Sequence, residues 1–385
     1  MIVLATVALL AHFTPLTAQK QEKLDSLFQV LERAKHDTNR VQTMIDISSE
    51  YATNNIKNAL QYCESASQLA EKTGNERLMA LSIYNAGLIY FNAGLLEQSA
   101  NNFYRYLEIE QNKKNDEAVV ATLVNIGAIH LQMKQLDKAG QNFEAALDIL
   151  LRHRDSAKDS LQNNALATVY NNLGIVEKEN NHFSKAEEYY LKGIEYTRGQ
   201  PNRTYLLANL LNNLGMVNIL ENKYDAAFSN INESLALRIA DNDKQGEASS
   251  YQNLALYYEK LNNDNKAKFY YYKALGIANQ TGSNTLLESI YENIFNIYLR
   301  VQNADSALKY HILLKEKNDL INMEETTKEL TRQELTLQFQ EREKISKVEQ
   351  KRIQQRYLFI SVLTILITVI VGLLYYLSQS RLRRL

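Results

Sequence analysis

Apolar residues recur along most of the chain at the three- and four-residue spacing of an amphipathic helix. In one segment Ala139, Phe143 and Ala146 follow one another at intervals of four and three residues, so they share one helix face. Only two prolines, Pro15 and Pro201, occur among the 385 residues. Because a proline in a helix interior costs about 3 kcal/mol, such a chain can stay helical over long stretches. The pattern predicts an all-α protein.

The helical pattern itself repeats with a period near 40 residues. One anchor position is glycine in four of its six copies, and successive anchors are 40, 47, 41, 40 and 40 residues apart. The anchors are Gly87, Gly127, Gly174, Gly215, Ala255 and Phe295. We expect the seven additional residues between the second and third anchors to lengthen a helix or to form an excursion at one edge.

The recurring glycine needs a packing reason, since glycine in a helix costs about 1 kcal/mol relative to alanine. We expect two helices to approach too closely there for a side chain, with Ala139 and its equivalents as the small facing surface. The aromatic residue four positions later, Phe143, would fill the space beside that contact. Each unit is then a helical hairpin that buries its apolar face only by stacking on its neighbours.

The motif Asn125-Ile126-Gly127, followed by Ala139, Phe143 and Ala146, resembles the tetratricopeptide repeat (TPR) in a variant with a longer period. The resemblance covers about residues 39–314. It implies a superhelical solenoid of about six to seven helical hairpins, whose first helices line a concave groove. The first and last units depart from the motif, as expected of terminal repeats that act as caps.

Asparagine stands two residues before every anchor. The six are Asn85, Asn125, Asn172, Asn213, Asn253 and Asn293. Asparagine is a mediocre helix former, and the resemblance places this position in the groove, where an amide can both donate to and accept from a peptide backbone. Two interpretations stay open. The amides could grip a partner segment without reading its sequence, or they could tie neighbouring helices together inside the array.

The positions immediately before the asparagines carry no basic residue; they are Tyr84, Val124, Asn171, Asn212, Gln252 and Glu292. Chaperone-binding relatives use lysine there to clamp a terminal carboxylate, so this chain is not expected to do so. The mixture favours an uncharged or modestly apolar protein or peptide partner.

Composition and motif searches argue against catalysis and nucleic-acid binding. Lysine plus arginine number 43 and aspartate plus glutamate 44, so no global basic field attracts nucleic acid. The single cysteine, Cys63, can form neither an internal disulfide nor a zinc site, and we interpret it as a small buried apolar residue. The six histidines are scattered, and no phosphate-binding, metalloprotease or serine-hydrolase motif occurs. We expect no catalytic residue, metal site or cofactor.

Residues 357–377 carry no charge and are long enough, at about 1.5 Å per residue, to cross a hydrocarbon core of about 30 Å. Tyr357 and Phe359 at one end, and Tyr375 and Tyr376 at the other, suit the membrane interfaces. The sequence therefore predicts a transmembrane helix, followed by a short basic tail over residues 378–385. Residues 315–356 are rich in charge and strong helix formers and predict a helical stalk. It is either a rod with a weak coiled-coil pattern that could form a homodimer, or a helix folding back as a cap.

Residues 2–13 form a short apolar run of the length found in secretory signals, so residues 1–19 are interpreted as a signal peptide. The alternative is an apolar first helix docked on the repeats. Basic residues on both sides of the span give opposite orientations, and the signal favours a periplasmic array on the inner (cytoplasmic) membrane, because long domains translocate largely regardless of charge.

This order of segments resembles the exported TPR and membrane-helix input region of bacterial sensor kinases and regulators. Since no output domain follows the span in this sequence, the leading hypothesis is a non-catalytic, membrane-anchored scaffold or adaptor. The alternative is the sensory input half of a signalling receptor, with its histidine kinase or regulator domain missing or encoded separately. A cytoplasmic tail-anchored adaptor ranks third.

Overall fold

The computed structural model describes residues 14–52, 55–152, 160–200 and 203–382, which form fifteen α-helices and no strand. The first eight are α1 (Thr14–Arg33), α2 (Asp37–Tyr51), α3 (Ile56–Thr73), α4 (Glu76–Asn92), α5 (Leu96–Asn112), α6 (Asp116–Gln132), α7 (Leu136–Arg152) and α8 (Ser160–Glu179). The others are α9 (Phe183–Thr197), α10 (Thr204–Leu220), α11 (Tyr224–Ala240), α12 (Lys244–Lys260), α13 (Asp264–Thr281), α14 (Asn284–Arg300) and α15 (Ala304–Leu382).

Consecutive helices pair into antiparallel hairpins that stack in chain order. Within the described residues there are seven, beginning with α2–α3 and ending with α14 and the start of α15. The predicted all-α superhelical solenoid is therefore confirmed. Helix α1 packs against α2 before the first hairpin, an element that the repeat motif did not predict.

In six of the seven hairpins, from α4–α5 onward, the turn contains one residue in the left-handed backbone region. The residues at this position are Gly94, Lys134, Asn181, Asn222, Asn262 and Gln302. The next backbone N–H then donates to a carbonyl five residues earlier, as from Gln135 to His130 at 2.8 Å. This bond satisfies one of the carbonyls left open at the end of the first helix. Because this turn recurs, it joins the first and second helices of these hairpins with the same geometry. The hairpins can therefore stack in register.

The four anchor glycines leave no room for a side chain, as predicted, and in three of these hairpins an aromatic ring of the second helix covers the glycine. The ring of Phe143 lies directly over Gly127, and that of Phe103 lies over Gly87. Ala139 is fully buried. Its equivalents in two other hairpins face the anchor: Ser99 donates to the Gly87 carbonyl at 2.8 Å, and a Cβ added to Gly215 would stand 3.4 Å from the Ala227 carbonyl. The aromatic side chain is long enough to reach the backbone of the first helix, so the glycine makes room for the ring.

The terminal hairpins depart from this arrangement, as the sequence predicted for caps. In the last hairpin the anchor is Phe295, and it contacts the ring of His311 with centroids 5.3 Å apart. In the first hairpin Ser48 donates a hydrogen bond of 2.8 Å to the carbonyl of Ala59. Cys63 takes the place of the aromatic ring there; it is buried, and burial raises the pKa of its thiol to about 12. This agrees with the prediction of an unreactive packing residue.

Residues 326–385 form a second unit. Within it, and within the described residues, Lys351–Leu373 is the one segment long and apolar enough to cross a membrane, with a mean hydropathy of 2.2 and no buried side chains. It overlaps the span predicted at residues 357–377. The apolar run at residues 2–13 and the additional residues at 153–159 lie outside the described residues, so the signal peptide and the excursion stay predictions.

Candidate functional site

The first helices of the hairpins form the inner surface of the array. Neighbouring first helices contact one another directly at α2–α4, α6–α8, α8–α10 and α10–α12, whereas neighbouring second helices are not closely packed pairs in the described part of the chain. The array therefore curves with its first helices inside. The resulting surface, which we call the groove, is the one that the sequence predicted.

Four of the six predicted asparagines join neighbouring first helices. Asn85 accepts from Ser49 at 3.1 Å and donates to Ser48 at 3.3 Å. The other three donate to the first helix of the preceding hairpin: Asn125 to the Tyr84 hydroxyl (3.4 Å), Asn213 to Asn171 Oδ1 (3.0 Å) and Asn253 to the Asn212 carbonyl (3.5 Å). In these three bonds the amide nitrogen is the donor, so the amide oxygen can accept from another group.

Two of the predicted asparagines make no hydrogen bond to another hairpin among the residues that the structure describes. Asn172 accepts a hydrogen bond of 3.4 Å from its neighbour Asn171, and Asn293 donates to the Ser289 carbonyl of its own helix at 2.9 Å. Both side chains are half-buried. Binding of a partner backbone by the six amides stays a prediction.

A second row of polar groups lies beside the asparagines, and sequence reasoning missed it. Ser249 accepts from Asn212 at 3.4 Å, and Ser289 accepts from Gln252 at 3.2 Å. These serines stand four residues before the predicted asparagines and so share their helix face. That spacing could have revealed them. Together with the amides they add uncharged polar groups to the α8–α14 part of the groove.

One buried cation supports this part of the groove. Arg238 of α11 donates to the side chain of Asn209 at 2.8 Å and to Ser234 at 3.1 Å, and Asp243 lies 3.9 Å away. Burial lowers the pKa of Arg238, and the charge of Asp243 opposes that effect. The hydrogen bond from Arg238 thereby holds the Asn209 side-chain amide in place.

A cavity of about 540 Å³ lies where α4, α6 and α8 meet. Its lining residues are Tyr84, Asp116, Glu117, Val120, Ala121, Val124, Asn125, Ile149, Leu150, Gln162, Asn164, Ala165 and Thr168. This volume lies within the roughly 300–1,000 Å³ of typical ligand sites, which combine apolar walls with a few polar groups. Of the predicted asparagines, only Asn125 lines this cavity.

Other ionisable groups stabilise the packing of the helices. The carboxylate of Glu177 is buried at the end of α8 and accepts from His182 at 2.8 Å and from Lys185 at 2.5 Å. Burial raises the pKa of Glu177, but these two hydrogen bonds outweigh it, and the net pKa is lowered. In the part of the chain that the structure describes, no group of three or more His, Cys, Asp or Glu side chains could hold a metal ion.

This fold and groove define an all-helical repeat protein of the kind that acts as a protein-interaction scaffold. Residues 118–198 and 206–280, which cover the third to sixth hairpins, match the family model described as tetratricopeptide repeat. These four hairpins are therefore similar to tetratricopeptide repeats.

Comparisons with individual proteins agree with this fold. Tetratricopeptide repeat protein 14 of Mus musculus is 34% identical over 115 residues, which is 30% of this chain; the chain spans 13% of the length of that curated relative. The apo form of the quorum sensor NprR from B. thuringiensis superposes with a TM-score of 0.64 at 17% identity, covering 80% of this chain and 84% of that one.

Two Rap structures are similar as well. The apo form of RapI gives a TM-score of 0.60 at 15% identity, covering 74% of this chain and 99% of that one. A Rap protein complexed with competence and sporulation factor gives 0.54 at 15% identity, with 78% and 80% covered. At such identities the likeness shows a shared fold alone.

Proposed function

We propose that the chain is a non-catalytic, membrane-anchored scaffold or adaptor that binds a protein or peptide segment in the groove. The observation that carries the proposal is the cavity where α4, α6 and α8 meet, with the amide and serine side chains of α8–α14 in the same groove. An extended segment exposes one N–H and one C=O per residue, and amide and hydroxyl side chains can pair with both. A partner lying along the first helices would therefore find hydrogen-bonding groups over several hairpins.

Photocrosslinking in cells tests this binding mode. A photoreactive amino acid would replace Thr168 or Ser249 in the groove, or Glu233 on the second helix α11 as a control. We expect adducts of defined mass from the two groove positions and none from the control. Adducts at Glu233 alone would place the interaction on the outer surface and overturn the proposal.

The membrane anchor in this proposal is the span at residues 357–377, in a single-pass arrangement on the inner membrane with the array in the periplasm. Support comes from the exposed apolar side chains up to Leu373 and from the apolar run at residues 2–13. An arginine at the centre of a span costs about 2.5–3.5 kcal/mol. Replacing both Leu366 and Ile370 by Arg should therefore release the protein on carbonate extraction. The paired substitution Thr331→Lys/Thr336→Lys, outside the span, should leave it in the membrane.

Cysteine labelling reports the orientation. Cys63 is buried, so the natural chain should not react with a membrane-impermeant maleimide, while Asn101→Cys would expose one thiol on the array. Labelling of intact spheroplasts supports a periplasmic array. Labelling only after lysis supports the cytoplasmic arrangement.

The second candidate function is the input half of a signalling receptor. The size of the cavity favours it, since about 540 Å³ also suits a small ligand, and a structurally similar protein is described as a quorum sensor. The apparent mass of the native protein, measured with an antibody against the array, separates the two. A band slightly below 44.2 kDa supports the adaptor, and a much larger one supports the receptor.

A homodimer through the stalk is part of the proposal. Leu330 and Leu337 are seven residues apart and are 62% and 64% exposed in the second unit. Apolar residues at this spacing lie along one stripe of a helix, and a second helix with the same stripe can cover them.

A further inference from the structure

In the last three hairpins, the positions six and two residues before the anchor carry amide or hydroxyl side chains. The pairs are Asn209 and Asn213 of α10, Ser249 and Asn253 of α12, and Ser289 and Asn293 of α14. The members of each pair are four residues apart, so they share one helix face. Five of the six side chains are half-buried, and Asn253 is 8% exposed. Each of these first helices therefore presents two polar side chains on one face.

The first member of each pair keeps a hydrogen-bond donor. The side-chain oxygen of Asn209 accepts from Arg238 at 2.8 Å, so its NH₂ group remains to donate. The hydroxyl oxygens of Ser249 and Ser289 each accept from an amide of the preceding first helix, at 3.4 and 3.2 Å, so both hydroxyl protons remain to donate. None of these three donors has another partner among the described residues.

The second member of each pair keeps an acceptor. The amide nitrogen of Asn213 donates to Asn171 at 3.0 Å, and that of Asn253 donates to a backbone carbonyl of α10 at 3.5 Å. The nitrogen of Asn293 donates to the Ser289 carbonyl of its own helix at 2.9 Å. In the part of the chain that the structure describes, the three amide oxygens accept no hydrogen bond. Three consecutive first helices therefore repeat one donor and, one helical turn later, one acceptor.

The distance between neighbouring pairs follows from helix packing. Packed helices lie about 8–10 Å apart, and side-chain hydrogen bonds join α10 to α12 and α12 to α14 directly. A β-strand repeats the orientation of its backbone groups every second residue, or about 6.6 Å, and an α-helix uses those groups internally. A polyproline II segment repeats them every third residue, or about 9.3 Å, and makes no internal hydrogen bonds. Of these three conformations, polyproline II matches the spacing of the pairs.

We propose that the α10–α14 part of the groove binds a polypeptide segment in the polyproline II conformation, with a residue other than proline at every third position. Carbonyl groups of the segment accept from the amide and hydroxyl donors, and the N–H of every third residue donates to an asparagine oxygen. The two positions between need no N–H, so proline is accommodated there. This inference rests on the proposed function, because it names the class of segment that the groove binds.

Three labelled, acetylated dodecapeptides test the proposal by fluorescence anisotropy with the full-length protein in detergent. Four repeats of Pro-Pro-Ala provide the conformation and an N–H at every third position. Dodecaproline keeps the conformation but has no N–H, whereas four repeats of Gly-Gly-Ala have an N–H at every position but are flexible. We expect the Pro-Pro-Ala peptide to bind about 10-fold more tightly than either control, because it alone combines preorganisation with the required donors.

A pair of serine substitutions tests the donors on the protein. Ser249→Ala/Ser289→Ala removes two donors without adding volume and should weaken the Pro-Pro-Ala peptide about 3- to 10-fold. The melting temperature verifies folding, since each serine also accepts a hydrogen bond from the preceding first helix. The matched control, Ser65→Ala/Ser229→Ala, removes two hydroxyl groups from the second helices α3 and α11 and should leave the affinity unchanged.

The other outcomes separate this inference from the proposed function. Equal binding of dodecaproline or of the Gly-Gly-Ala peptide, or an unchanged affinity of the folded serine variant, would overturn the inference; loss of that binding on Ser249→Trp would leave groove binding standing. Binding of none of the three peptides would also overturn the inference. Photocrosslinks from Thr168 and Ser249 then decide the proposed function independently.

Discussion

The ring of Phe143 lies so close to Gly127 that a Cβ atom on this glycine would stand 2.5 Å from the ring carbon Cε1. Phe143 is fully buried, so the ring cannot move into solvent to make room. The contact joins the first and second helices of the third hairpin. It explains why a residue unfavourable in helices recurs at the anchors.

Gly127→Ala should therefore destabilise the protein. Overpacking in a core costs about 1–3 kcal/mol, which exceeds the gain in helix propensity of up to about 1 kcal/mol. The matched control is Gly276→Ala in α13, where an added Cβ meets no atom within 4 Å; this change should stabilise by about 0.5–1 kcal/mol. Urea unfolding of the full chain in detergent measures both. Equal midpoints for the two variants would contradict the close-packing account.

Two equivalent buried tyrosines should respond differently to loss of their hydroxyl groups. The Tyr190 hydroxyl is buried without a hydrogen-bond partner among the described residues, whereas that of Tyr271 donates to Glu259 at 2.6 Å. Tyr190→Phe should be neutral or slightly stabilising, and Tyr271→Phe should cost about 1–2 kcal/mol, because only the second breaks a satisfied bond. Thermal unfolding of both variants measures these changes in stability. An equal loss of stability in the two variants would refute the distinction.

Acid should weaken the third hairpin through His130. Its Nε2 lies 3.0 Å from the Tyr104 hydroxyl and its Nδ1 2.9 Å from Gln135 Oε1. Burial lowers the pKa of His130 below the ordinary 6.5, although the bond to Gln135 opposes this and nearby Lys138 adds to it. Between the lowered folded pKa and about 6.5 the unfolded chain binds more protons, so this contribution is present above about pH 6.5 and is lost as the pH falls.

Melting temperatures at pH 7.5 and 5.5 test this effect. His130→Gln should lose less stability on acidification than the natural chain, by a difference of about 1 kcal/mol or less. Replacing the exposed His36 by Gln is the control and should leave the pH dependence unchanged. A natural chain whose pH dependence matches that of His130→Gln would count against the assignment.

The asparagines can be tested as a pair. Asn213→Ala removes a bond between α10 and α8 and should cost about 0.5–1.5 kcal/mol, whereas Asn172→Ala removes a bond only within α8 and should cost less than about 0.5 kcal/mol. If the amides also contact a partner, both variants should weaken peptides that bind the groove. Full binding by both variants would leave only the structural role.

The stalk prediction concerns oligomeric state. Leu330→Lys/Leu337→Lys places two charges on the proposed dimer stripe, and light scattering in detergent should show a shift from dimer to monomer. Thr331→Lys/Thr336→Lys adds the same charge on either side of the stripe and should keep the dimer. A natural chain that is already monomeric would rule out the stalk dimer.

The amino-acid sequence determined the helices, the hairpin repeat and the position of the close approach. These features are local: Ala139, Phe143 and Ala146 lie on one face because of the helical period alone, and the anchors repeat because each hairpin repeats. The membrane-spanning segment could be predicted for the same reason, since length and apolarity over consecutive residues suffice to define it.

Tertiary structure decided what those positions contact. The motif did not specify that Phe143 rather than Ala139 covers Gly127, because this depends on how far a ring reaches across the hairpin. Nor did it specify that Asn213 bonds to Asn171, 42 residues earlier, or that Ala121 and Ala165 open a cavity beside Asp116. Asn213 and Asn171 come from different hairpins, as do Ala121 and Ala165, so only the stacking of one hairpin on the next brings them together.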